Sequence, residues 1–255
     1  MKKIVIPIFT IFLTSCAPLV YYQVYKTVPE NGKITDDSLV FEDKNCEVSY
    51  DLWAADGDMG FTIYNKSEND LTIDLTKTFY VLNGVASEYF QNRVFSKAVN
   101  NATAITKYKY PHYLNYYNVT KIEGSTSTTY GTSYAEKPEL TIPPQTSIRI
   151  AEYHITSLLY KACKYSSHPK NKNIKTVSFD KTNSPLTFYN IITYKIKGEI
   201  NRIENKFYAS ELTNLPSSKM FVWEDTSSCG EKLVVPVEVF KIETPDKFYI
   251  KYSVK

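Results

Sequence analysis

The sequence predicts an all-β protein: an antiparallel β-sandwich carrying one long Tyr-rich insertion and one or two short helices. Three observations lead there. The chain has 22 Tyr and 13 Phe but only 8 Gly, and aromatic side chains suit a pleated, half-buried surface. Apolar residues recur at every second position in several short runs, the period of a strand with one buried face. Clusters of Asn, Asp, Gly and Ser separate those runs at the spacing of sandwich turns.

The first clear strand opens at Cys46, where Val48, Tyr50 and Leu52 alternate with Glu47, Ser49 and Asp51. Asp56-Gly57-Asp58-Met59-Gly60 supplies turn chemistry, and Phe61-Thr62-Ile63-Tyr64 reads as the returning strand of a hairpin. A polar turn over 65–70 leads to Leu71, Ile73 and Leu75 on one face, then to Phe79-Tyr80-Val81-Leu82. Asn83-Gly84 signals a type I′ turn before Val85. From about 87 to 137 the rhythm breaks into the insertion, with a short helix expected over Ala86 to Asn101 and a Ser/Thr/Gly-rich stretch from Gly124 to Ser133. Alternation resumes at Leu140-Thr141-Ile142, is stopped by Pro143-Pro144, and returns from Ile148 to Tyr153. A second short helix is expected from Ile155 to Ala162. Strands follow over Leu186–Tyr194 and Lys206–Ala209, and the chain closes on two more, Leu233 to Val239 and Phe248 to Val254.

Trp53 after an apolar strand, the run FTIYNKSENDLTIDLTKTFYVLNG and the later LTIPPQTSIRI resemble Ig-like sandwich domains of bacterial envelope lipoproteins. The resemblance spans about half of the chain. It is one of pattern, so it implies an Ig-like fold and carries no catalytic residue over.

The N-terminus has its own signature. Lys2 and Lys3 precede an apolar run from Ile4 to Leu13, which ends in Leu13-Thr14-Ser15-Cys16. A basic start, a short apolar run and small residues form a secretory signal peptide (1–15), too short to span a bilayer. The cysteine placed after them resembles the lipobox of bacterial lipoproteins. That resemblance implies cleavage between Ser15 and Cys16 and acylation of the Cys16 thiol. The Lys/Asn/Tyr-rich composition resembles lipoproteins of the Bacteroidota, in which surface export follows an acidic cluster after the cysteine. Here Ala17-Pro18-Leu19-Val20-Tyr21-Tyr22 follows, so an outer-membrane anchor facing the periplasm is expected, with the cell surface as the alternative. Residues 16–44 are expected to form a polar tether and 45–255 the sandwich. Asp37-Ser38-Leu39 resembles the short O-glycosylation motif of exported Bacteroidota proteins, at Ser38.

Loss of Lys2 and Lys3 lowers the net charge from +3 to about +1, which gives nucleic-acid binding no electrostatic support. With Cys16 acylated, three cysteines remain. Cys163 and Cys229, both in turn-like surroundings, are expected to pair in an oxidising compartment, leaving Cys46 as a buried thiol. His112, His154 and His168 are scattered and no C-x-x-C pair exists, so no zinc site is expected. Asp56 and Asp58 flank Gly57 without the rest of a calcium loop and read as a turn. Cys163 with His168 lacks the geometry of a nucleophile and base. Trp53 and Trp223 read as core or edge anchors.

The functional expectation rests on Tyr108, Tyr110, Tyr113, Tyr116 and Tyr117, interleaved with Lys107, Lys109 and His112. Tyrosine offers rigid amphipathic contact area, suited to sugar rings or peptides; packing of these rings on the sandwich is the competing reading. The function expected is a membrane-anchored, non-enzymatic interaction or structural module without a cofactor, with an envelope protein or glycan as partner. A glycan-binding accessory lipoprotein is the alternative, and a hydrolase with unrecognised acid and base the third.

Overall fold

The computed structural model describes residues 19–106, 122–161, 165–224, 227–228, 231–232 and 237–254. The fold is an all-β, antiparallel, sandwich-like arrangement of two main sheets. In chain order the first strands are β1 (Leu19–Pro29), β2 (Lys33–Ile34), β3 (Leu39–Glu42), β4 (Cys46–Tyr50), β5 (Phe61–Asn65) and β6 (Leu71–Asp74). A 3-10 turn over Leu75–Lys77 leads to β7 (Phe79–Leu82) and β8 (Val85–Glu88). Then come β9 (Val94–Thr106), β10 (Ile122–Ala135), β11 (Glu139–Ile142), β12 (Ser147–Ile150) and β13 (Thr176–Ser178). The chain ends with β14 (Thr187–Ile196), β15 (Glu199–Pro216), the single-turn α1 (Ser217–Met220), β16 (Phe221–Glu224), β17 (Ser227–Ser228), β18 (Glu231–Lys232), β19 (Val237–Phe240) and β20 (Lys247–Val254).

The larger sheet runs β11-β6-β14-β15-β1-β20, with β13 beside β15 and the β7–β8 hairpin beside β14; the smaller runs β12-β5-β4-β3-β2. Alternation decides which face each strand buries. In β4 and β5, Cys46, Val48, Tyr50, Phe61 and Ile63 point inward, against Ile192, Phe188 and Phe207 of the larger sheet. The edge of the Phe207 ring meets Phe41 and Tyr50 across the interface, both at 5.2 Å between ring centres. A polar knot crosses the same core. Asn190 and Asn205 each donate an amide hydrogen to the Tyr50 hydroxyl, at 3.3 and 2.9 Å, and the Tyr89 hydroxyl donates to Asn190 Oδ1 at 2.9 Å. Burial pushes the Tyr50 hydroxyl well above the ordinary tyrosine range, so it stays protonated.

Turns follow the local chemistry. Asn65 closes the 65–70 turn with its side chain, accepting from the Ser67 amide at 3.0 Å and donating to the Asn69 carbonyl at 2.7 Å. Asn83 and Gly84 both have positive φ (47° and 86°), as a type I′ hairpin turn requires. Lys197-Gly198 repeats that geometry (52° and 81°) between β14 and β15, a turn the sequence pattern did not single out.

Four expectations are corrected. The polar tether over 16–44 fails for its described part. β1 lies between β15 and the edge strand β20 of the larger sheet, and Tyr22, Gln23, Val24 and Tyr25 are all buried. The sandwich therefore already includes the chain from Leu19, well before 45. The helix expected over Ala86 to Asn101 is instead β8 and the start of β9, because the Asn83-Gly84 turn commits Val85–Glu88 to pairing with β7. The helix expected from Ile155 to Ala162 is absent over 155–161. There the backbone bonds to the body, Ile155 N–H to the Asp56 carbonyl at 2.9 Å and Tyr160 N–H to Gln23 Oε1 at 2.8 Å, which spends the groups a helix would use. Finally, the break in strand rhythm does not hold for 94–106 and 122–135: β9 and β10 pair from Val94↔Ala135 to Thr106↔Ile122 as a two-stranded sheet of their own.

Candidate functional site

The ribbon of β9 and β10 is rooted by one arginine. Arg93, immediately before β9, donates from Nη1 and Nη2 to the two carboxylate oxygens of Glu152 at 2.6 and 2.9 Å, and from Nη2 to Glu136 Oε1 at 2.6 Å. Glu136, immediately after β10, accepts the Gln91 and Arg93 amides on its other oxygen, both at 3.0 Å. Its own amide donates to the Arg93 carbonyl at 2.8 Å. The two ends of the ribbon are thus locked to each other, and to the strand end after β12, by charge-assisted and bidentate bonds. Hydrogen bonds from Arg93 hold the Glu136 carboxyl down to about 2, and the two carboxylates raise the arginine further above its usual range. The guanidinium also lies over the Phe95 ring, 5.4 Å from its centre.

Beside this clamp is an open cleft of about 640 Å³, lined by Ser87, Glu88, Phe90, Gln91, Asn92 and Tyr153. Tyr153 is fixed rather than free. Its ring stacks on Tyr80 and meets the edge of Tyr89, and its hydroxyl donates to the Glu88 carbonyl. The cleft offers a carboxylate, two neutral amides and an aromatic wall, a set that hydrogen-bonds uncharged hydroxyl or amide groups.

The tyrosines singled out in the sequence, Tyr108, Tyr110, Tyr113, Tyr116 and Tyr117, lie outside the described residues, as do Ser15, Cys16, Cys163 and Cys229. Their chain position is informative nonetheless: 107–121 joins the paired ends Thr106 and Ile122 of the ribbon. Ser38 is described. It ends the turn between β2 and β3, half-buried, with its hydroxyl 3.2 Å from Thr35 Oγ1 and its amide donating to that oxygen at 3.0 Å. Asp56 and Gly57 both take positive φ. Asp58 accepts the Gly60 amide at 2.7 Å and pairs with Arg149 at 2.5 Å, so this segment is a turn with its carboxylate engaged. Among the described residues no group of three His, Cys, Asp or Glu side chains is arranged to hold a metal. Cys46 is buried and its thiol is pushed up to about 12 by burial. Trp53 packs against Phe240 and Tyr249, whereas Trp223 on β16 stands 65% exposed.

Arg93, Glu136 and Glu152 were not singled out by the sequence. Their signal was the placement of opposite charges just before β9 and just after β10, and it becomes readable only once the two strands are known to pair. No protein-family model, curated protein or solved structure matches the chain.

Proposed function

We propose that this protein is an envelope lipoprotein, acylated at Cys16 and held in the outer membrane facing the periplasm, whose sandwich presents the β9–β10 ribbon to an envelope protein as a non-enzymatic interaction module. One observation carries the reading: a paired ribbon, outside both main sheets, is held at its root by the Arg93–Glu136–Glu152 clamp. An isolated two-stranded ribbon is marginal in water. A three-residue ionic clamp at its base is therefore a device for aiming the ribbon, and residues 107–121, which join its two strands in the chain, include five tyrosines. Tyrosine and arginine are the side chains that dominate protein contact surfaces.

The test is a photo-reactive phenylalanine analogue at Tyr113, irradiated in native envelopes. One dominant protein adduct is expected, reduced severalfold by Arg93→Ala while the melting temperature barely moves. An adduct pattern identical to that from a probe at Lys197, in the distant β14–β15 turn, would overturn the reading. Incorporation of labelled palmitate, lost in Cys16→Ala, tests the anchor separately.

A second reading has an observation in its favour. The cleft of Glu88, Gln91, Asn92 and Tyr153 at the ribbon root has the neutral amides and fixed ring that suit a sugar. It expects retention on a glycan array, lost with alanine at Gln91 and Asn92 of the cleft as well as with alanine at Tyr110, Tyr113 and Tyr116.

A further inference from the structure

We propose that the end of the larger sheet at which β1 begins is a basic surface that seats the domain on anionic phospholipid headgroups. Strand register brings its parts together. Leu19 stands opposite Val254, and Tyr21 stands opposite Tyr252 on one side and Pro216 on the other, just before α1. The segment 165–175 is fastened across the same end. The Tyr252 hydroxyl donates to the Ser167 carbonyl, the His168 ring lies 5.2 Å from Tyr21 and 5.8 Å from Tyr252, and the Ser218 hydroxyl donates to Asn171 Oδ1 at 3.4 Å.

Lysines dominate the charge at this end. Lys170, Lys172, Lys175, Lys219 and Lys251 are all exposed, and none forms an ion pair among the described residues. From Tyr165 to Phe179 there is no Asp or Glu. Two carboxylates lie near it: Glu211, paired with Lys26 at 3.7 Å, and Glu238 on β19, which acts on Tyr22. Lys172 and Lys175 share the wall of a cavity of about 460 Å³ with Ser166, Asn173 and Tyr165, a set of donors that suits a phosphate ester. Leu19, 65% exposed, adds an apolar residue at the rim.

Chain length supplies the occupant. Three peptide steps separate Cys16 from Leu19, so the two α-carbons are at most about 11 Å apart. A lipid on Cys16 therefore holds this end, and not the β14–β15 turn at the other, within about one Debye length of the headgroups, the range over which surface potential acts on lysine. This last step rests on acylation of Cys16; the charge and the cavity do not.

The experiment separates the two. The chain from Ala17 onward, which contains the whole described sandwich and no acyl group, is co-sedimented with vesicles of phosphatidylcholine alone or with added phosphatidylglycerol. Binding selective for the anionic vesicles is expected, weakened on the order of tenfold or more by Lys170→Glu/Lys172→Glu/Lys175→Glu and unchanged by Lys197→Glu. An unaltered melting temperature confirms that the triple variant is folded. Equal binding to both vesicles, binding that survives the triple variant, or binding erased by millimolar free phosphate at constant ionic strength would overturn the proposal. If Cys16→Ala retained palmitate label while selective binding persisted, the lipoprotein reading would fail and the basic surface would stand.

Discussion

Tyr50 shows how one hydroxyl holds two sheets in register. It sits on β4 of the smaller sheet and accepts amide hydrogens from Asn190 on β14 and Asn205 on β15 of the larger. All three side chains are buried. Phenylalanine preserves the ring contacts with Phe41, Phe61 and Phe207 but strands the Asn205 amide in the core. Tyr50→Phe is therefore expected to destabilise the fold by about 1–3 kcal/mol in denaturant unfolding. Tyr64→Phe removes an exposed hydroxyl bonded to Gln145 and is expected to change stability by under about 0.5 kcal/mol. Equal effects would show that the knot is incidental to the packing around it.

At the scale of elements, the ribbon depends on the ionisation of Glu136. Its folded value is held below the ordinary carboxylate range, to about 2, chiefly by hydrogen bonds from Arg93. A depressed carboxyl stabilises fully above its unfolded value of about 4.5 and loses that contribution as pH falls toward 2. Amide exchange at the ribbon root, corrected for intrinsic rate, should thus quicken between pH 4.5 and 2, ahead of β14; Glu136→Gln should reproduce the loosening at neutral pH. Loss of root and β14 protection at one common pH would mean that the clamp has no independent role. Elements also mark where the sequence could be read. Strands with one wet face, such as Val48-Ser49-Tyr50 and Phe248 to Val254, announce themselves by alternation. β1 does not: Val20-Tyr21-Tyr22-Gln23-Val24-Tyr25 is covered on one face by the Trp53, Phe221, Phe240 and Tyr249 cluster and on the other by the main core. Two covered faces erase the period of two, and the buried Gln23, satisfied by Asn214, Tyr25 and Tyr160, gives the run a polar look. The ribbon escaped for the opposite reason. Its sequence is rich in Ser, Thr, Ala and Asn and lacks a sustained alternation of large apolar residues, and its clamp joins residues 93, 136 and 152, far apart in the chain.

For the whole molecule, the position of β1 joins the proposed anchor to the core. Pairing with β15 on one edge and β20 on the other means that the chain from Leu19, three residues past Cys16, is a structural part of the sheet. A lipid attached through a flexible tether could be removed with its tether at no cost to folding. Here removal of residues through Pro29 would separate β15 from β20, expose Phe248, Leu212 and Ala209, and leave the amides of both strands unpaired. The chain from Ala17 should unfold cooperatively with a sharp near-ultraviolet tyrosine signal, whereas the chain from Glu30 should lack that signal and bind hydrophobic dyes. A 20-residue Gly/Ser insert between Pro18 and Leu19 should leave the melting temperature unchanged, because it lengthens the chain ahead of β1 without touching β1. If the chain from Glu30 melted like the full domain, β1 would be an accessory strand, and a pull on the proposed anchor would no longer act directly on the paired strands of the larger sheet.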